Sequence, residues 1–477
     1  MPVREDHPAA AMNEWTIPPQ EREGFLAAIA RHRAAAWRVT AASVCTLAAA
    51  ALVVALLSAP LWYALLALGA DLLNLVSPTR NLLGDFMDYT YRWQDSPAPA
   101  GAMRWIFWLA CAALPGAVVV GCIALTLKRA LVVLAAQETA ALQGRVPHAL
   151  TLEEQRLRNV IAEMSIAANI RQPIVLIVEG RGAGAGVFGT EAEPLVIISR
   201  ALLTQLDRAE LQGVAAHLVG SIAQGDLVLG QRAALTLAFF NLASRLAVVL
   251  SEAGAGRSLA RVLAGLVWPT PARMSHVATA IGESFAADPA APPASSPPHW
   301  KHNVRFVLAG PVAMLGFFGG VVSFLVLGPL LSFAWRQRKY MADATAVRLT
   351  RDPDTLARAL DKLAQAGGGA PLGSWTSHLA VAAGPASRGL MSGAFVPMLP
   401  SAEQRLRALR KLGATVTRPV KQVPIKQTLL VGALLAVVGG LTCVLLPLLV
   451  FVSVALSMLF LGLPLSLLHL LLRWIGN

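Results

Sequence analysis

Charged side chains are scarce in this sequence. Asp, Glu, Lys and Arg make up 14% of the 477 residues, hydrophobic residues make up 56%, and the mean hydropathy is +0.58. A soluble domain ordinarily contains about 25% charged residues. The composition therefore argues against an ordinary soluble enzyme and indicates a membrane protein.

Cysteine is also rare, and all four cysteines lie inside apolar runs. No pair has the spacing of a disulfide framework or of a thiolate zinc site. A disulfide scaffold and a zinc finger are thus excluded as explanations of the fold. The cysteines are Cys45, Cys111, Cys122 and Cys443.

The net charge is +13, from 40 basic and 27 acidic residues. A surplus of basic residues is typical of nucleic-acid-binding proteins, and basic residues also concentrate in the cytoplasmic loops of membrane proteins. The basic residues concentrate in 336–426, whereas the loop 71–104 holds three Arg against four Asp. By the positive-inside rule 336–426 is cytoplasmic. Aromatic residues are not interleaved with this charge, so we predict no nucleic-acid partner.

Four stretches contain no Asp, Glu, Lys or Arg and are long enough to cross a bilayer, which takes about 20 residues. They are 39–70, 105–127, 306–335 and 427–472, and the last is long enough for a hairpin of two helices. A fifth stretch, 229–251, is interrupted by Arg245. A cleaved signal peptide is not expected, because residues 1–38 lack an apolar core.

The segments between these runs have ordinary globular patterns. Thr151 with Glu154, Asp207 with Glu210, and Ser401 with Gln404 have the spacing of helix capping boxes. Two β-rich runs, 174–178 and 195–198, flank a glycine-rich turn, and 252–304 is predicted to be a flexible extracytoplasmic loop rich in Ala, Pro and Ser.

Several separated stretches resemble, in order and spacing, the HtpX-type membrane zinc metallopeptidases, relatives of the type I CAAX prenyl protease. The resemblance covers most of residues 150–413. It is carried by LRNVIAEMSIAANI (157–170), PIVLIVEG (173–180), VIISRALLTQLDRAELQGVAAHLVGSIAQGD (196–226) and RQRKYMADATAVRLTRDPDTLARAL (336–360). It implies an α-helical membrane protein with a mainly α (α+β), zincin-type cytoplasmic domain that carries a small β-sheet.

The resemblance also implies the organisation of the chain. Because 128–228 and 336–426 would be the two halves of one peptidase-like domain, an even number of crossings should separate them. We therefore expect 229–335 to hold two membrane segments around the Pro/Ala-rich loop, although a re-entrant segment at 306–335 remains an alternative. The other parts are a cytoplasmic N-terminal segment (1–38), two transmembrane helices with a short extracytoplasmic loop (39–127) and a C-terminal transmembrane hairpin (427–477).

The zinc centre implied by the resemblance is degenerate here. Active relatives carry HExxH on a helix, with two His ligands and a Glu base, and a third ligand in the pattern ExxAD. The aligned pentapeptide is His217 to Ser221, in which Leu218 replaces the base and Ser221 the second ligand. Lys339 stands four positions before Asp343, where the third ligand is expected.

Each replacement opposes zinc chemistry. Leu218 cannot accept a proton, Ser221 is a poor zinc ligand, and Lys339 carries a charge of the metal's own sign. At a separation of about 4 Å and an effective dielectric of about 20, that repulsion is roughly 8 kcal/mol. We therefore expect no catalytic residues, no bound metal and no cofactor, with His217 as the only retained ligand type.

The substrate strand departs from the family as well. Relatives usually show an Asn-Ala-Phe run where this chain has RGAGAGVFGT (181–190). This difference puts in doubt the sheet edge that would pair with a peptide substrate.

Weaker signals have simpler explanations. Gly184, Gly186 and Gly189 satisfy GxGxxG, but no helix follows to bind a pyrophosphate. His299 and His302 lie in the Pro-rich loop, and His378 is only a remote candidate for a new metal site. The basic cluster of Arg405, Arg407, Arg410 and Lys411 would either contact anionic lipid headgroups or form a solvated face.

The sequence thus favours a pseudopeptidase of the bacterial inner membrane, with its peptidase-like domain in the cytoplasm. Its partners would be the lipid bilayer and a membrane protein that the sequence does not identify, within a regulatory, scaffolding or quality-control complex. The alternatives are an active zinc metalloendopeptidase with unconventional ligands and a purely structural membrane subunit.

Overall fold

The computed structural model describes residues 22–76, 101–148, 151–179, 182–248, 255–286, 327–366, 374–382 and 398–416, with scattered residues in 85–92 and 467–474. Most of the predicted crossing at 306–335 and of the predicted hairpin at 427–472 therefore lies outside the described residues, as do His299 and His302.

Two long helices begin the described chain: α1 (Phe25–Val76) with 52 residues and α2 (Gly101–Leu142) with 42. At 1.5 Å per residue both exceed the roughly 30 Å of a bilayer's hydrocarbon core. They approach closely at Gly116, where a Cβ would lie 2.5 Å from the Cα of Ala55. Within the described residues, one helical stretch, Gly116–Leu142, has the length and hydropathy (2.2) of a membrane span.

The first globular part consists of α3 (Leu152–Ala167), β1 (Ile174–Val178), β2 (Ala185–Gly189), β3 (Pro194–Ser199), α4 (Arg200–Gln205) and α5 (Arg208–Ala223). The sheet order is β1-β3-β2, with β1 parallel and β2 antiparallel to β3. The prediction of a glycine-rich turn between the two β-rich runs is wrong, because these residues include strand β2. Val187 and Phe188 bury their side chains there, and the backbone of β2 pairs with β3.

Two of the predicted capping boxes are present, at Asp207 and at Ser401. The third is wrong: Thr151 makes no capping hydrogen bond. Its expected partner Glu154 is instead buried and binds Arg145 at 2.7 Å and Arg200 at 2.6 Å. An ion pair with two guanidinium groups outcompetes a local cap for this carboxylate.

The next segment contains α6 (Asp226–Val248), α7 (Ala255–Val267) and α8 (Pro271–Ala286). The prediction of a flexible loop is therefore wrong for 255–286. In α8, Val277, Ala278 and Ile281 are fully buried, which matches an apolar stripe at helical spacing. The proline-rich composition that suggested a loop belongs to residues 287–298, which lie outside the description.

The last described elements are α9 (Gly328–Thr350), α10 (Pro353–Gln365), a 3₁₀ helix (Ser374–Leu379) and α11 (Ala402–Lys411). Helix α5 packs against both α9 and α10. At Gly213 a Cβ would lie 2.6 Å from the backbone N of Leu356, so only glycine permits this approach. The two predicted halves of the peptidase-like domain, 128–228 and 336–426, thus meet around α5.

Candidate functional site

Helix α5 carries the first group of aligned site residues into the interior. Its capping box fixes the start of the helix, with the N–H of Glu210 donating to Oδ1 of Asp207 at 2.8 Å. His217 is fully buried, and Leu218 and Ser221 are each 1% exposed. Lys339 and Asp343 of α9 are also 1% exposed. Helices α5 and α9 pack against each other, and Asp343 contacts His217 directly.

The carboxylate of Asp343 binds both His217 and Arg405. Its Oδ1 lies 2.8 Å from Nδ1 of His217 and 2.5 Å from Nη2 of Arg405, and its Oδ2 accepts from Nε of Arg405 at 2.8 Å. Burial alone would raise the pKa of Asp343, but the Arg405 charge and these hydrogen bonds hold it well below its usual value. Asp343 is thus an anion that is neutralised within the protein.

His217 is neutral at physiological pH. Burial and the neighbouring Arg405 charge lower its pKa to about 4, although Asp343 acts in the opposite direction. With Nδ1 facing a carboxylate, the proton of the neutral ring belongs on Nδ1. The lone pair is then on Nε2, which is buried and has no hydrogen-bond partner among the described residues.

Ser221 takes part in a second buried network. Its hydroxyl donates to Oδ2 of Asp226, and Arg338 donates to Oδ1 of the same carboxylate and to the carbonyl of Gln224. Asp226 is fully buried. The hydroxyl at the second aligned ligand position is therefore already bound to a protein carboxylate.

Lys339 occupies the third aligned ligand position. Burial lowers its pKa from 10.5 to about 8, although the charges of Asp226 and Asp343 act against this shift. The ammonium form still predominates at neutral pH. The interior around His217 thus holds the cations Lys339, Arg338 and Arg405 against two carboxylates.

The outer edge of β2 is paired with another part of the same chain. Gly186 and Ala380 form an antiparallel bridge, and the N–H of Val381 donates to the carbonyl of Ala185 at 2.8 Å. The carbonyl of Val381 accepts from Nη1 of Arg405. Arg405 therefore connects this segment, 380–382, to the buried carboxylate.

Helix α1 covers the site from the α9 side. Nδ1 of His32 lies 2.7 Å from Oε1 of Gln337, and its ring lies 5.3 Å from that of Tyr340. Arg33 donates to Oε1 of Gln224 at 3.3 Å. The sequence did not predict this contact between residues of 1–38 and the domain.

Arg405 is the most important residue that the sequence analysis misplaced. It is 2% exposed, so the prediction of a lipid-facing or solvated position is wrong for it, although Arg407 is exposed. The sequence does indicate this burial, because Arg405 lies on the same helical stripe as the apolar residues Leu409 and Leu412. Asp226 and Arg338 were also missed, because nothing in their spacing shows that they pair.

His378 lies on the 3₁₀ helix. Its carbonyl accepts from Nε1 of Trp335 at 2.7 Å, and the two rings are 4.7 Å apart. It lines a cavity of about 440 Å³ between α2, α6 and the end of β2. Among the described residues, no three His, Cys, Asp or Glu side chains are grouped so that they could hold a metal ion.

The glycine motif at 184–189 lies in and next to β2, and β3 follows it. There is no helix N-terminus at this point for a pyrophosphate, in agreement with the sequence analysis.

Comparison with known proteins establishes the family. A model of peptidase family M48 matches residues 151–413, more than half of the chain, and the chain therefore belongs to this family. Proteins named Protease HtpX homolog are similar to it. The relative from Thermoanaerobacter pseudethanolicus is 27% identical over 265 residues, 54% of this chain and 71% of the relative.

The relative from Dictyoglomus thermophilum is 30% identical over 215 residues, 44% of this chain and 54% of the relative. That from Listeria monocytogenes serotype 4b is 28% identical over 212 residues, 43% of this chain and 57% of the relative. The matches thus span little more than half of these two relatives. No solved structure matches the chain.

Proposed function

We propose that this chain is an integral membrane pseudopeptidase of the M48 family, which binds or organises a membrane-protein partner and does not hydrolyse peptides. In this proposal the peptidase-like domain lies on the cytoplasmic side of a bacterial inner membrane. The role is that of a regulatory or scaffolding subunit, for example in membrane-protein quality control.

The observation that carries the proposal is the replacement of a metal centre by buried ion pairs. A catalytic zinc site needs three protein ligands and an open position for water. Near His217 the described groups are a carboxylate bound to Arg405, a hydroxyl bound to Asp226 and an ammonium group. These residues do not fit a zinc ion, because one free imidazole nitrogen remains and the net charge of the buried groups is positive.

The pairing of the β2 edge supports the same conclusion. Peptide binding by strand addition requires a free row of backbone N–H and C=O groups. At Ala185 and Gly186 these groups face Ala380 and Val381 of the same chain. A substrate peptide would have to displace this segment and break its hydrogen bond with Arg405.

One observation favours the alternative, an active enzyme with unconventional ligands. Nε2 of His217 is buried, lacks a partner in the part of the chain that the structure describes, and carries the lone pair that a metal would use. A carboxylate on the other ring nitrogen is also the usual arrangement behind a metal-bound histidine. The two functions therefore differ in a measurable property, the zinc content.

Metal analysis of the purified full-length protein tests the proposal. We expect less than stoichiometric zinc in the wild type, no change on His217→Ala, and no proteolysis of an unfolded protein substrate by either. Stoichiometric zinc that His217→Ala removes would overturn the proposal. The triple variant Leu218→Glu, Ser221→His, Lys339→Glu supplies the missing groups and is expected to gain zinc that a further His217→Ala removes.

The binding role needs a separate measurement. Chemical cross-linking in native membranes, followed by purification of the tagged chain, should give a defined complex at a fixed ratio. The matched control is the same chain expressed and cross-linked in membranes of an unrelated host. A chain that is recovered alone from its own membranes would contradict the scaffolding role and leave the purely structural subunit.

A further inference from the structure

The turn between α7 and α8 presents an apolar surface that no other described residue covers. Val267 and Trp268 are 82% and 69% exposed, and Leu263, one helical turn before Val267, is 46% exposed. The opposite side of α7 packs against α8, where a Cβ on Gly265 would lie 2.6 Å from the side chain of Val277. We refer to Leu263, Val267 and Trp268 as the apolar ridge.

A basic groove lies beside this ridge. Arg261, Arg273 and His276 line an open cavity of about 400 Å³ whose floor contains the small side chains of Ala260 and Ala264. Residues 255–286 contain three arginines and one acidic residue, Glu283. Within the described residues, neither Arg261 nor Arg273 forms an ion pair, so both charges are available to an external anion.

The contacts of α8 indicate where this hairpin lies relative to the apolar run 105–127. Gly282 lies next to Leu134, with a Cβ position 3.2 Å from its Cδ1. The buried face of α2 continues from Leu134 through Ala130 to Leu127, both fully buried, towards that run. Leu134 lies seven residues, or roughly 10 Å, beyond Leu127. The α7–α8 hairpin therefore packs on α2 next to the end of the apolar run.

We propose that the α7–α8 hairpin lies in the membrane interface, with the apolar ridge among the acyl chains and the phosphate of an anionic phospholipid in the basic groove. Tryptophan and exposed aliphatic residues next to arginine are typical of helices that lie in this interface. The guanidinium groups supply hydrogen bonds and charge that suit a phosphate. The proposal rests on the proposed membrane placement of the run 105–127, but not on the loss of catalysis. It puts residues 255–286 beside the cytoplasmic end of that run and not in an extracytoplasmic loop.

Spin labelling of the full-length protein in vesicles tests this placement. In a background where the four native cysteines are replaced by Ala, Val267→Cys carries a nitroxide. The matched control is Ile166→Cys on α3, where the native side chain is 81% exposed. In phosphatidylcholine vesicles containing phosphatidylglycerol, we expect oxygen to collide with the label at 267 severalfold more often than a water-soluble nickel chelate does. The label at 166 should show the reverse.

The groove is tested with the double variant Arg261→Gln, Arg273→Gln. Omitting phosphatidylglycerol should reduce the depth of the label at 267 in the parent, and the double variant should be insensitive to this lipid. The control pair Arg358→Gln, Arg407→Gln changes exposed arginines of the domain and should retain the dependence. If inorganic phosphate alone restores the depth of the label in vesicles without phosphatidylglycerol, the groove binds free phosphate and the lipid site is refuted.

Equal accessibility of the labels at 267 and 166 to the nickel chelate would overturn the proposal. If Val267→Cys does not fold, Trp268→Cys replaces it with the same expectation. A chain without membrane segments would not reconstitute at all, so failure of the membrane placement is distinguishable from failure of the interfacial hairpin. The zinc measurements are independent of both.

Discussion

Replacing Lys339 with methionine should stabilise the protein, and the gain should depend on pH. Lys339 is 1% exposed, and burial lowers its pKa from 10.5 to about 8. At 1.36 kcal/mol per pKa unit, the charged form costs the folded state about 3 kcal/mol at pH 7. The carboxylates of Asp343 and Asp226 keep their direct bonds to Arg405 and Arg338 without it. Methionine has a similar length and removes the buried charge.

The pH dependence follows from the two pKa values. Because the pKa is lower in the folded chain, the unfolded chain binds more protons between about pH 8 and 10.5, and the wild type gains stability as pH rises through this range. The cost of the charge is complete below about pH 8 and disappears above 10.5. The advantage of Lys339→Met should therefore fall to about 2 kcal/mol at pH 9 and below about 1 kcal/mol at pH 10.

Thermal unfolding in detergent micelles measures this difference. At pH 7 we expect Lys339→Met to raise the Tm of this 477-residue chain by roughly 3 °C. Lys411→Met, at an exposed position of α11, is the matched control and should change little at any pH. An unchanged or lower Tm for Lys339→Met at pH 7, or a gain independent of pH, would show that the ammonium group does not destabilise the fold.

Three further changes test other parts of the structure. Arg405→Met should cost about 3 to 5 kcal/mol in denaturant unfolding, because it leaves a buried carboxylate unpaired, whereas Arg407→Met on the exposed side of α11 should be nearly neutral. Gly213→Ala should cost about 1 to 3 kcal/mol through its clash with the backbone of α10, whereas Gly121→Ala, where a Cβ would meet no other described residue, should not. Hydrogen bonding to its guanidinium partners lowers the pKa of Glu154 to about 2, so stability that is present above about pH 4.5 should be lost as pH falls towards 2. Glu154→Gln should weaken that pH dependence in acid-unfolding curves.

Apolar spacing was sufficient to predict several helices and their buried faces. In α3, Leu157, Val160, Ile161 and Met164 are all buried, as their helical spacing indicates. The aligned motif positions were predicted from sequence, because they lie within stretches whose order and spacing resemble the family. These features depend on neighbours that are close in sequence.

The features that were missed depend on distant partners. Strand β2 looks like a turn because of its glycines, and it becomes a strand through its pairing with β3 and Ala380. Arg405 looks solvent-exposed until Asp343, 62 positions away in sequence, compensates its charge. Glu154 fits a capping box until Arg200 competes for its carboxylate. In each case a contact with a residue distant in sequence overrides the structure that the local sequence favours.

The same distinction explains which part of the catalytic apparatus persists in the proposed pseudopeptidase. The hydrogen bond from His217 to Asp343 is the kind that orients a metal ligand from behind, and here it joins α5 to α9 across the core. Without a metal this bond still satisfies two buried polar groups, and losing Asp343 would leave Nδ1 of His217 and the charge of Arg405 without their carboxylate partner. Leu218 and Ser221 can change more cheaply, because one packs as an apolar side chain and the other bonds to Asp226. The fold therefore constrains His217 and Asp343, which bond to each other across the core, more strongly than Leu218 and Ser221.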